Sequence, residues 1–85
     1  MTLLIVDDEW YAVKGISEGI DWRETEIDEV LEAFSAQEAL RILEERRVDV
    51  LLCDIEMPEV NGLELSHRWA ERSPGTKIIF LTGHA

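Results

Sequence analysis

Leu3-Leu4-Ile5-Val6-Asp7-Asp8 decides the fold class of this chain. A short apolar run closed by polar residues reads as a strand buried on both faces, the kind found in parallel sheets. The pattern returns at Val50-Leu51-Leu52-Cys53, followed at once by Asp54. Carboxylates at the carboxyl ends of such strands converge in the crevice where open α/β sheets bind ligands. Their charges repel: two unit charges at 4 Å cost about 4 kcal/mol at an effective dielectric of 20. A cation or a proton must offset that repulsion. A donor set made only of oxygen points to Mg²⁺ or a similar hard ion.

Outward from these two runs, strand and helix patterns alternate. Strand 1 is expected over about Leu3–Val6. A helix follows, with Val13, Ile16 and Ile20 on one face and Gly15 weakening it by about 1 kcal/mol relative to Ala. The charged stretch Asp21–Asp28 reads as an irregular, exposed loop, with Trp22 packing on it. Strand 2 is expected over Glu29–Ala33. Ser35-Ala36-Gln37-Glu38 forms a capping box for helix 2, whose apolar face is Ala36, Ala39, Leu40 and Leu43. Arg46 and Arg47 close it, at the negative end of the helix dipole. Strand 3 is Val50–Cys53, and Asp54–Asn61 is a loop. Gly62 opens helix 3, with Leu65 and Trp69 on the buried side. Ser73-Pro74-Gly75 stops it. Strand 4 is Lys77–Leu81. The order β-α-β-α-β-α-β predicts a parallel sheet with helices on both faces.

Composition bounds the function. Eighty-five residues make at most one domain. A net charge of −11 argues against direct nucleic-acid contact and against anionic membranes. The one cysteine excludes an internal disulfide and fits a reducing compartment. The start shows no basic leader, and no apolar run approaches 18 residues, so a soluble cytoplasmic protein is expected.

Three motifs in order resemble a known family. Leu4-Ile5-Val6-Asp7-Asp8-Glu9, then Asp54-Ile55-Glu56-Met57-Pro58 with Gly62 four residues on, then Leu81-Thr82-Gly83 resemble the receiver domain of two-component response regulators. The resemblance spans residues 1–85 as a single, incomplete receiver domain. It implies a flavodoxin-like, doubly wound parallel sheet that stops after strand 4. The strand order would be 2-1-3-4, with the fifth strand and last helices absent. It implies that Asp54 takes a phosphoryl group from a histidine kinase. Asp8 and Asp54 would bind Mg²⁺ directly, Asp7 through water, and the Glu56 backbone carbonyl would add a ligand. Thr82 would hydrogen-bond the phosphoryl group, and Glu56 and His84 match positions that modulate its hydrolysis. The general style of the chain resembles receivers joined to AraC-type DNA-binding domains, which implies a role in transcription regulation.

The chain departs from the family pattern at its end. The family's fifth-strand lysine would lie after Ala85, and Lys77 opens strand 4 at the opposite end of the sheet from the acidic pocket. A phosphate-independent dimerisation module is therefore the alternative reading. A Mg²⁺-dependent aspartate-nucleophile phosphohydrolase is the third, opposed by Glu56 where that class carries a second aspartate. Ile78-Ile79-Phe80-Leu81 is expected at an open sheet edge, supporting a homodimer. Plainer readings stand beside these. Asp7-Asp8 could merely cap helix 1. Asp54 could be a turn residue, Cys53 a small buried hydrophobe and Trp69 core. His67 reads as solvated, and Trp10 as half exposed beside the acidic residues.

Overall fold

In the computed structural model, residues 1–57 and 61–81 are described. Four strands, β1 (Thr2–Val6), β2 (Glu29–Ala33), β3 (Val50–Asp54) and β4 (Lys77–Leu81), form one sheet in the order β2-β1-β3-β4. Every pairing is parallel. Three helices connect them: α1 (Trp10–Gly19), α2 (Ala36–Glu45) and α3 (Gly62–Arg72). The parallel α/β architecture is the one the alternating pattern predicts, and the strand order is the one the family resemblance implies.

The apolar runs are continuous because both sheet faces are covered. Leu4 and Val6 of β1, with Leu51 and Cys53 of β3, face α2 and α3 and pack with Ala39, Leu65 and Trp69. The intervening residues Leu3 and Ile5 face the other way and pack with Val13 of α1. Local sequence sets the helix starts. Ser35 Oγ accepts from the Glu38 N–H at 3.1 Å, and Asn61 Oδ1 accepts from the Glu64 N–H at 2.9 Å. Both side chains satisfy a donor that the first helical turn would otherwise leave unmet.

Two local expectations need correction. Ile20 does not belong to the buried face of helix 1. That helix ends at Gly19, and Ile20 takes an extended conformation and is 46% exposed. The segment after it is also less irregular than expected. Trp22–Glu24 forms a 3-10 turn capped by Asp21, and Trp22 packs against the α1-side core. Its indole N–H donates to Ser17 O at 2.8 Å, satisfying a last-turn carbonyl of α1. β1 and β3 each run one residue longer than expected, to include Thr2 and Asp54.

Candidate metal and phosphoryl site

The site begins with strand register. β1 and β3 are neighbours, and Val6 pairs with Cys53. The next residue on each strand is therefore an aspartate at the same sheet end: Asp7 and Asp54. Both are almost sealed from solvent, 2% and 1% exposed. Asp8 is exposed at the rim. Among the described residues, these three carboxylates form a group whose ligand oxygens lie within 4.8 Å of one another.

Matching turns hold the two buried side chains. Asp7 Oδ1 accepts from the Glu9 N–H at 3.0 Å, and Asp54 Oδ1 accepts from the Glu56 N–H at 3.1 Å. Each aspartate thus folds the chain leaving its strand back onto its own carboxylate. The capping alternative for Asp7-Asp8 does not match this geometry. Glu9 is the N-cap of α1, and it makes no side-chain cap bond.

Burial raises the Asp7 carboxyl from 3.8 to about 6. The Glu9 N–H opposes the shift, and the Asp54 charge adds to it. That response is expected of carboxylates crowded together away from water. A hard divalent cation is the natural counter-charge for this all-oxygen donor set, and the residues present fit Mg²⁺. The Cys53 thiol, buried beside them, is pushed up to about 12 by burial first and by the Asp54 charge second. It is a packed side chain with no thiolate character at neutral pH.

Position 62 carries a requirement that the sequence reading missed. A Cβ on Gly62 would lie 2.2 Å from the Asp54 carbonyl oxygen. α3 therefore starts in direct contact with the backbone of the buried aspartate. The motif spacing marks Gly62, but close approach is a tertiary fact that spacing alone does not reveal. Trp10, two residues after Asp8, opens α1 and is 64% exposed, more open than the half exposure expected. Trp69 is fully buried, and His67 is exposed, as expected. Leu81 pairs with Asp54 across β3 and β4. Thr82, the expected phosphoryl donor of a hydrogen bond, and His84 lie outside the described residues.

Comparison with known proteins agrees with this geometry. A family model described as "Response regulator receiver domain" matches residues 3–85. The transcriptional regulatory protein YhcZ of Bacillus subtilis (strain 168) is 34% identical over 85 residues, which cover 100% of this chain and 39% of that protein. The chain thus spans well under half the length of this curated relative. A two-component transcriptional regulator AraC from Clostridium phytofermentans ISDg superposes with a TM-score of 0.93 at 30% identity, covering 100% of this chain and 68% of that one. The receiver domain of the histidine kinase CKI1 from Arabidopsis thaliana, solved with Mg²⁺, gives 0.82 at 25% identity, covering 99% and 68%. Buried aspartates at the ends of adjacent parallel strands, a third at the rim and a family match over nearly every residue lead to one conclusion: this chain belongs to the response regulator receiver domain family.

Proposed function

We propose that the protein is a signalling module that accepts a phosphoryl group on Asp54. The observation that carries this reading is the Asp7, Asp8 and Asp54 group at the carboxyl ends of β1 and β3. The donor is a histidine kinase, the partner class with which receiver domains interact. A carboxylate oxygen of Asp54 attacks phosphorus, an O–P bond forms, and the P–N bond to the kinase histidine breaks. The imidazole leaves and takes up a proton. This is nucleophilic chemistry by a carboxylate, in which positioning and charge neutralisation do most of the work.

Asp8 and Asp54 are the direct Mg²⁺ ligands in this reading, with Asp7 acting through water and Glu56 through its backbone carbonyl. When bound, Mg²⁺ supplies the positive charge that lets an anionic phosphoryl group approach three carboxylates. The Glu56 N–H fixes one Asp54 oxygen, so the carboxylate is oriented before the donor arrives. Thr82 is assigned the hydrogen bond to a phosphoryl oxygen. Residues 1–85 act as one receiver unit, in the cytoplasm, joined in the whole protein to a transcription-regulating output. Among the described residues, no helix is long and apolar enough to cross a membrane.

Acetyl phosphate with Mg²⁺, followed by intact mass, tests the reading. A long-lived adduct of one phosphoryl group is expected. No adduct would favour the phosphate-independent interaction module, and fast turnover without accumulation would favour a phosphohydrolase.

A further inference from the structure

We infer that Gly62 is a positioning residue for the Asp54 carboxylate, acting through the backbone it touches. The inference rests on the reading of Asp54 as phosphoacceptor. An ideal Cβ at Gly62 would stand 2.2 Å from Asp54 O, 2.8 Å from Asp54 C and 2.8 Å from Ile55 Cα. All three are backbone atoms, so no rotamer change relieves the contact. The φ of Gly62 lies outside the left-handed region, so the demand is for space and not for an unusual dihedral.

The contact is also bonded. The Gly62 N–H donates to Ile55 O at 2.8 Å, so the first residue of α3 is clamped to the turn that leaves β3. That turn carries the Glu56 N–H that holds Asp54 Oδ1. Anything larger than hydrogen at position 62 must move either α3 or this turn. α3 is anchored by Leu65 and Trp69, both fully buried, and by its Asn61 cap. β3 is held in turn by its pairing with β4 up to Asp54, so we expect the Ile55–Glu56 turn, which belongs to neither a strand nor a helix, to take up the displacement. The Cβ and Asp54 O must part by about 0.8 Å to reach even 3.0 Å. A displacement near 1 Å at a reacting group costs on the order of 10²-fold in rate, and sites need their groups held within about 0.5 Å.

The test compares Gly62→Ala with Asn61→Ala. The second variant removes the N-cap of the same helix, at a cost of about 1 kcal/mol, without touching Asp54. Two readouts are taken in folded protein: the maximal rate of adduct formation from acetyl phosphate at saturating Mg²⁺, and the NMR shift and exchange protection of the Glu56 amide. Gly62→Ala is expected to lower the maximal rate at least tenfold while the half-saturating phosphodonor concentration changes less than threefold. Its Glu56 amide is expected to shift and lose protection. Asn61→Ala is expected to stay within twofold of wild type with that amide unmoved. Trimethylamine N-oxide, which favours compact states, keeps a weakened Gly62→Ala folded for both measurements. A wild-type rate with an unmoved Glu56 amide in Gly62→Ala would overturn the inference, as would equal losses in both variants. If wild type forms no adduct, the phosphoacceptor reading fails separately, and the Glu56 amide still decides whether position 62 sets the Asp54 turn.

Discussion

At the scale of single residues, the pocket holds negative charge at the expense of stability. Asp7 is buried and raised to about 6, so its folded-state proton affinity exceeds that of the unfolded chain. Its contribution to stability is complete below the ordinary carboxyl value of 3.8 and is lost as pH rises through about 6. Asp7→Asn keeps an oxygen to accept the Glu9 N–H and removes the charge. In chelator at pH 7.5 the variant is expected to be more stable than wild type, by up to roughly 3 kcal/mol for a two-unit shift. At pH 4, near the ordinary value, the difference should shrink to a small fraction of this. Urea unfolding of both proteins from pH 4 to 8 checks this; a difference that does not change with pH would contradict it. Asp8, exposed at the rim, contributes little to the fold but closes the group of three carboxylates. Mg²⁺ at 100 times its dissociation constant should stabilise wild type by about 2.7 kcal/mol. Asp8→Asn should lose most of that gain; equal Mg²⁺-dependent rises in melting temperature for the two proteins would remove Asp8 from the site. These three aspartates were legible from the sequence because a carboxylate directly after an apolar run fixes its own place at a strand end. The crowding at Gly62 was not, because it depends on where α3 lands against β3.

Among the elements, strands were easier to read than helix ends. Continuous apolar runs have one reading when a sheet is covered on both faces. Ile20 continues the helical spacing of Val13 and Ile16, so spacing alone carries α1 too far. The helix instead stops at Gly19, and Trp22 turns back to satisfy Ser17 O. Thr76 shows how the far end of the sheet is built. Its hydroxyl donates to Val48 O at 2.6 Å and accepts from the Trp69 indole N–H at 3.3 Å. Ser73 Oγ lies 2.7 Å from the same oxygen. One hydroxyl thus ties the end of α3 to the entry of β3 and the start of β4. Thr76→Val should leave a buried carbonyl and a buried indole N–H unmatched, at about 1–3 kcal/mol for each unsatisfied group. This network sits at the opposite end of the strands from Asp54, so Mg²⁺ affinity should not change. A large change in that affinity, measured by titration at a temperature where the variant is folded, would mean the two ends are coupled.

For the whole molecule, charge and edges set behaviour in solution. Among the described residues β4 pairs only with β3, and Ile79 on it is 43% exposed. An edge strand that carries apolar side chains favours pairing with a second copy. The net charge of −11 opposes that association and is screened by salt. Self-association is therefore expected to strengthen from low to high ionic strength, and sedimentation at micromolar concentration reads it. A monomer at both extremes would show that the β4 edge is not used in this way.

The central claim is that Asp54 carries the phosphoryl group. An acyl phosphate is reduced by borohydride, which converts the modified aspartate to homoserine and leaves free carboxylates unchanged. The protein is treated with acetyl phosphate and Mg²⁺, reduced, digested and sequenced by mass spectrometry. Homoserine at position 54, dependent on Mg²⁺ and absent from Asp54→Ala, is the predicted result. Homoserine at any other aspartate, or an adduct that persists in Asp54→Ala, would contradict the account.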